Sequence, residues 1–285
     1  MLQFRGKALP ETSLVMAIVN RTPDSFFDKG ATFGLQAALE RVDQVVEEGA
    51  HIVDIGGVKA APGVEVSAAE EADRVLEVVE LVRARHPALV VSVDTFRASV
   101  AELVLAAGAD IVNDAWGAPE PETFDVAATY GAGVVCTHAG HLPPRTRPHR
   151  ITYDDVTTDV IETITGLAEQ AAAAGVPRDS ILIDPGHDFG KNTRQSLQVT
   201  ARTSELVATG WPVLMALSRK DFVGEVLDLL PDDRLEGTLA ATAVCAWQGA
   251  RVFRAHDVAA TLRVLRMVDA IRGITEPVVN VRGLA

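Results

Sequence analysis

Cysteine is almost absent from this sequence, with only Cys136 and Cys245, both in apolar surroundings. Two cysteines in 285 residues cannot build a disulfide framework. They read as buried free thiols in a reducing compartment. Aromatic residues are also scarce, at 5%, and alanine and valine supply most of the apolar bulk. That composition suits helices packed on parallel strands. Positive charge is in deficit: 26 Lys and Arg face 39 Asp and Glu, a net charge of -13. So acidic a chain is a poor partner for nucleic acid or an anionic membrane surface. Any anionic small ligand must be held by a local cluster of cations. No apolar run reaches membrane-spanning length, and Met1 to Glu11 lacks a signal-peptide core. The expectation is a soluble, cytoplasmic protein.

What is present is alternation. Apolar runs closed by turn residues predict strands at Ser13–Asn20, His51–Gly56, Leu89–Asp94, Asp110–Asp114, Gly133–His138, Ile181–Asp184, Pro212–Ser218 and Arg251–His256. Each is followed by a helical pattern. Leu35, Leu39, Val42 and Val46 share one face of the first helix, which Gly49 ends. Ser67 and Glu70 have capping-box spacing at the start of the second. A long helix is expected over Thr152 to Gly175, another ending at Gly210, and a helical stretch from Asp221 to Gly249 broken at Pro231. Eight strand-then-helix units without a linker predict a single-domain α/β protein, a (β/α)8 TIM barrel, over an open doubly wound sheet.

In such a barrel the carboxyl ends of the strands converge on one mouth, where active sites form. This chain brings Asn20, Asp54, Asp94, Asn113, Asp114, His138, Asp184, Ser218, Lys220, Arg254 and His256 to those ends. One Asp at a strand end is as often a helix cap as a ligand group, and an isolated His is more often structural. Together the set is harder to dismiss, because burying it is costly without partners or a ligand. Asp94, Asn113 and Asp184 offer acceptors to a flat, donor-rich nitrogen heterocycle such as a pyrimidine or pterin. Lys220, Arg254 and His256 offer cations to a phosphate or diphosphate. Asn20 is a hard oxygen ligand suited to Mg2+, which binds through few protein oxygens plus phosphates.

Seven stretches then carry a resemblance. Val19-Asn-Arg-Thr-Pro-Asp-Ser-Phe26, Ser92-Val-Asp-Thr-Phe-Arg97, Val112-Asn-Asp114, Asp184-Pro-Gly, Phe189-Gly-Lys191, Leu217-Ser-Arg-Lys220 and Arg254-Ala-His-Asp257 resemble, in order, the signatures of the dihydropteroate synthase family. The likeness spans nearly the whole chain. It implies a (β/α)8 barrel, a homodimer, and condensation of a dihydropterin methyl diphosphate with para-aminobenzoate in folate biosynthesis. It further implies that Asp94, Asn113, Asp184 and Lys220 hold the pterin ring and that Phe189 packs near it. Asp94 and Lys220 are its implied catalytic residues. Arg254 and His256 would bind diphosphate, and Asn20 would meet Mg2+.

The chain also departs from the family. The loop after the second strand normally reads Gly-Gly-Glu-Ser-Thr-Arg-Pro-Gly in the family; here it reads Gly56-Gly-Val-Lys-Ala-Ala-Pro-Gly63. Lys59 restores one charge but not a planar bidentate contact. Thr137-His138 replaces Met-His, His187 and Asp188 stand in place of a small apolar residue and a glycine, and Ala216 replaces a glycine. The chain thus resembles a divergent second-copy member of the family. Three functions are in view: a synthase with a variant loop, a pterin-binding paralogue with another co-substrate or no catalysis, and a related folate-dependent methyltransferase. The Ser-Arg-Lys and Arg-x-His-Asp motifs speak against the last. The basic loop Arg145, Arg147, His149 and Arg150 is either a solvated surface or a contact for that other ligand.

Overall fold

The computed structural model describes residues 1–22, 32–140, 142–146 and 151–283. A two-stranded hairpin, β1 (Gln3–Phe4) and β2 (Lys7–Ala8), comes first. Then follow β3 (Leu14–Asn20), α1 (Leu35–Glu47), β4 (Ile52–Gly56), α2 (Ala68–Arg85), β5 (Val90–Asp94), α3 (Ala98–Ala106), β6 (Ile111–Asp114) and α4 (Glu122–Thr129). The second half holds β7 (Gly133–Thr137), α5 (Val156–Ala174), β8 (Ile181–Asp184), α6 (Thr193–Ala201), α7 (Thr203–Val207), β9 (Leu214–Met215), α8 (Asp221–Leu227), α9 (Leu235–Trp247), β10 (Val252–Ala255) and α10 (Val258–Ile271). Strands β3 to β10 form one parallel sheet in the order β8-β7-β6-β5-β4-β3-β10-β9. A bridge between Ile183 and Val213 joins its two ends. The result is the expected eight-stranded barrel.

The seam at that bridge explains the largest local difference from expectation. The seventh barrel strand, expected over Pro212–Ser218, is confined to Leu214–Met215. Pro212 has no N–H to give a ladder. Its carbonyl takes Ile183 N at 3.0 Å, and the Val213 carbonyl takes both Arg251 N and Val252 N. Elsewhere the differences are at helix ends. The fifth helix opens at Val156 rather than Thr152, because the Asp155 carboxylate caps it through Thr157 N and Thr158 N at 2.9 Å. The helix expected to reach Gly210 is two, parted at Arg202, which leaves helical geometry. Ser67 caps α2 through Glu70 N at 3.2 Å, but the Glu70 carboxylate turns to Arg74, so only half of the capping box forms. A 3-10 turn over Pro231–Asp233 parts α8 from α9, as Pro231 predicts.

Two apolar layers hold the barrel. Outward-facing Val53, Val91, Val93 and Val112 pack with Val42, Val75, Val79 and Val104 of the helices. Inside, Met16, Ile52, Val90, Ile111, Val135, Leu182, Leu214 and Val252 form a floor, one residue from each strand, and Leu2, Phe4 and Leu9 plug it from below. Phe4 is fully buried, and a Cβ on Gly133 would fall 2.5 Å from its ring. Burying one such side chain contributes roughly 1.5 to 3 kcal/mol. Strands of two residues give no periodic pattern, which is why the plug is not evident from sequence.

Candidate functional site

Side chains on one face of a strand recur every second residue. Two residues above the apolar floor, the same eight strands therefore deliver Ile18, Asp54, Ser92, Asn113, Thr137, Asp184, Ala216 and Arg254 to the interior. A further two residues brings Asn20, Asp94, Ser218 and His256. The barrel turns from apolar to polar within one step of the pleat. Asn20, Asp94, Asn113, Asp184, Phe189, Lys220, Arg254 and His256 all line a single cavity of about 730 Å³ at this end. These residues are thus brought to one place, with Ser218 beside them, whereas Asp54, Asp114 and His138, also at strand ends, are buried behind the cavity wall.

Asp54 sits at the centre of the polar layer and is fully buried. Its carboxylate accepts from Ser92 Oγ at 2.6 Å, Asn113 Nδ2 at 3.1 Å and Arg254 Nε at 2.6 Å. Arg254 Nη2 continues to Asp94 Oδ2 at 2.9 Å. The Arg254 guanidinium therefore serves two carboxylates at once. Burial opposes its charge, but Asp54 and Asp94 outweigh that and hold its pKa up. Burial pushes the Asp94 carboxyl up to about 7, against the pull of Arg254. His256 accepts from or donates to Ser218 Oγ through Nδ1 at 2.9 Å. Burial, and then the Arg254 charge, push it down to about 3. It enters as a neutral hydrogen-bonding group, not as the cation expected from sequence.

The turn after β8 forms the second wall. Asp184 Oδ1 accepts from Gly186 N at 2.7 Å. Burial raises its carboxyl pKa, with Lys220 the main opposing charge. Burial likewise lowers Lys220, against Asp184 and Asp188. Lys220 Nζ donates to His187 O and lies 4.8 Å from the centre of the Phe189 ring. Phe189 meets Trp116 edge-on, centroids 5.0 Å apart. Gly186 has φ +63°, and a Cβ there would fall 2.0 Å from His138 O, so only glycine fits. Asp188 takes the same left-handed region at φ +66° without being glycine. Its carboxylate accepts from Asp221 N at 2.7 Å and Phe222 N at 3.4 Å. Asp188, Asp221 and Glu225 together line this side of the cavity.

Opposite stands the loop with the altered sequence. Val58, Lys59, Ala60, Ala61 and Pro62 line the cavity. Arg145 braces them from behind, with Nε on Ala61 O at 3.1 Å and Nη1 on Val64 O at 2.7 Å. Arg145 is therefore occupied within the fold. Arg147, His149 and Arg150 lie outside the described residues, as does Pro23 to Phe26 of the first motif. Among the described residues no three His, Cys, Asp or Glu group into a metal site. Two oxygens at the end of β3 do fit a lightly coordinated hard cation. Asn20 lines the cavity, as does Thr22, whose buried hydroxyl has no hydrogen-bond partner among the described residues. The sequence reading missed Asp54 as a hub, Trp116, and Lys191, which also lines the cavity. A signal for Asp54 existed: it follows Ile52 at the same spacing as Asn113 follows Ile111 and Asp184 follows Leu182.

The arrangement can receive a flat ring on buried carboxylates and a carboxamide, with an aromatic edge and an ammonium above it. Comparison with known proteins agrees with that chemistry. The model of a family described as "pterin binding enzyme" matches residues 16–256. The "inactive dihydropteroate synthase 2" of Mycobacterium tuberculosis (strain ATCC 25618 / H37Rv) is 53% identical over 279 residues, covering 96% of this chain and 88% of that protein. The dihydropteroate synthase of Bacillus subtilis (strain 168) is 40% identical over 263 residues, covering 92% and 89%. A crystal structure of Yersinia pestis dihydropteroate synthase with a sulfonamide drug superposes with TM-score 0.91 at 38% identity, covering 96% of this chain and 99% of that one.

Proposed function

The chain belongs to the pterin-binding enzyme family, as a divergent dihydropteroate synthase-like member, and from that premise we propose that it binds a dihydropterin methyl diphosphate without condensing it efficiently with para-aminobenzoate. One observation carries this reading: the two halves of the cavity differ. The inner half keeps Asp94, Asn113, Asp184 and Lys220 on the cavity wall. The outer half has Lys59-Ala-Ala on one wall and Asp188, Asp221 and Glu225 on the other. Carboxylates beside an arylcarboxylate ligand repel it. The name of the 53% identical relative is in keeping with the same conclusion.

In the inner half, Asp184 would accept from the ring edge, Asn113 would accept from or donate to it, and Phe189 would cover its face. Asp94 would face the exocyclic methylene. A carboxylate held there stabilises positive charge that grows on that carbon as diphosphate leaves. Asn20 and the Thr22 hydroxyl would hold Mg2+, which would offset the negative charge of a bound diphosphate. Lys220 would guard the ring from above. Arg254, with Nε on Asp54 and Nη2 on Asp94, would offer Nη1 to the diphosphate, and neutral His256 would donate a hydrogen bond to it.

Exposed Val244, Trp247, Met267 and Ile271 on α9 and α10 support a homodimer through that face. Two buried free thiols and the absence, among described residues, of a helix able to cross a membrane are in keeping with a cytoplasmic setting. The test is direct. The purified protein is given dihydropterin methyl diphosphate, aminobenzoate and Mg2+, with calorimetry on the pterin in parallel. Pterin binding without dihydropteroate formation is expected. Turnover at the rate of a working synthase overturns the loss of condensation, and failure to bind any pterin overturns the whole reading.

A further inference from the structure

Lys191 has no role in the chemistry above, yet it is buried at the cavity wall, 5% exposed. Its three ammonium protons meet three close acceptors: His138 Nδ1 at 2.6 Å, Gly186 O at 3.0 Å and Phe189 O at 3.0 Å. A further carbonyl, His138 O, lies at 3.4 Å. Those protons are spent inside the protein, so the group is not built to grip a ligand. What it grips is the turn after β8, at both of its ends, and the end of β7.

Behind it stands a relay. His138 is fully buried, and its Nε2 lies 2.8 Å from Asp159 Oδ1 on α5. Asp159 can only accept here, so Nε2 carries the proton and the lone pair is left on Nδ1, facing Lys191. An imidazolium would press a second cation against the ammonium. Asp159 therefore sets the tautomer, and the tautomer makes His138 an acceptor for Lys191. The turn that Lys191 stitches carries Phe189 and the amide of Gly186, which holds Asp184. Asp184 is itself buried, and Lys191 stands with Lys220 among the charges that favour its ionised form. The charged and titratable groups around this pair are Asp184 on β8, His187 and Asp188 in the turn, Lys220 after β9, Arg254 on β10, Tyr153 before α5, Asp159 on α5 and His138 after β7.

We propose that Lys191, set in place by Asp159 and His138, is a positioning residue for Asp184: it holds the turn that presents this carboxylate and Phe189 to a heterocycle, and it supplies the second positive charge that keeps Asp184 a carboxylate. The proposal rests on the heterocycle reading of the cavity. Burial depresses Lys191 itself to about 7, with Asp184 the largest charge opposing that, so the two groups sustain one another's ionised state.

The test reads Asp184 without any ligand. Protein labelled with 13C at aspartate carboxyls is titrated by NMR, the Asp184 signal being assigned through Asp184→Asn. Lys191→Met should raise the Asp184 midpoint by about one pH unit or more, which is tenfold in proton affinity. Lys191→Arg, which keeps the charge, should raise it by less than half as much. Asp159→Leu should move it in the same direction by a smaller amount, and it stands in for Lys191→Met should that variant not fold. In calorimetry, Lys191→Met should lose about tenfold in pterin affinity at pH 6 and less at pH 8.5. An unmoved Asp184 midpoint in a folded Lys191→Met or Asp159→Leu protein overturns the proposal. Wild-type protein that binds no pterin overturns the heterocycle reading instead, and leaves the titration to decide the role of Lys191.

Discussion

Arg254 Nε lies 2.6 Å from the carboxylate of Asp54, and the two residues are 200 positions apart in the chain. Asp54 has no exposure at all, so the pair is a buried ion pair tying β10 to β4 over the strand between them, β3. Removing one partner of a buried pair costs about 3 to 5 kcal/mol, and loss of Asp54 falls toward the lower end because Arg254 keeps Asp94 at 2.9 Å. Asp54→Asn should therefore destabilise the fold by that order in urea denaturation. Asp54→Asn with Arg254→Gln should cost less than the two single changes added together. Simple additivity would show that the pair is not coupled.

Asp184 should be indispensable for the heterocycle. Its buried carboxylate is anchored by Gly186 N and faces the cavity. Two charge-assisted bonds to a ring are together worth about 3 kcal/mol or more. Asp184→Ala should lower pterin affinity by roughly 100-fold or more by calorimetry. Unchanged affinity would remove Asp184 from the site.

Stability should carry a pH signature from Asp114. Asp114 is buried, its Oδ1 accepts from Trp116 N at 2.7 Å, and burial raises its carboxyl to about 7. A carboxyl whose folded pKa lies above its unfolded value favours the folded state while protonated. That contribution is full below about pH 4 and is lost as pH rises to about 7. Asp94, raised in the same way, adds to the decline. Asp114→Asn cannot titrate, so its stability relative to wild type should improve as pH rises from 4 to 8. The full span is on the order of 4 kcal/mol. A constant difference across that range would contradict the assignment.

Aminobenzoate and sulfonamides should bind weakly, and the altered loop is the place to reverse that. Changing Val58-Lys-Ala-Ala61 to Glu-Ser-Thr-Arg places the family's side chains on backbone that Arg145 already braces. Affinity for aminobenzoate, measured with pterin and pyrophosphate present, should rise by about tenfold, the effect of one good charge-assisted contact. No gain would shift the block to the opposite wall, where Asp188→Gly and Asp221→Ser are the next changes.

The contribution of Mg2+ should separate from that of the ring. Asn20→Ala should abolish the Mg2+-dependent part of binding to a pterin diphosphate and leave plain pterin affinity unchanged. Removing Mg2+ with a chelator should have the same effect on wild type. Equal losses for both ligands would place Asn20 in the ring site.

The barrel and most of the site are legible in the residues themselves. Strand-then-helix alternation is local, and so is the placement of a polar residue at a strand's carboxyl end. Eight such ends must meet once the sheet closes, so the residues alone group Asp94, Asn113, Asp184 and Lys220. Weakly patterned pieces escaped. The hairpin at Gln3–Ala8 is too short for a period, and the strand after Pro212 shortens because its pairing depends on the distant Ile183 and Arg251.

What the chain alone determined, then, is the architecture and which polar atoms reach the mouth, because both follow from the two-residue repeat of a strand. What only the tertiary structure decided is the state of those atoms. Arg254 is bound to Asp54 and Asp94, His256 is neutral beside Ser218, and Lys191 is spent on His138 and the turn. Charge and hydrogen-bond state depend on burial and on partners tens to hundreds of residues away, and those are set only when the barrel closes.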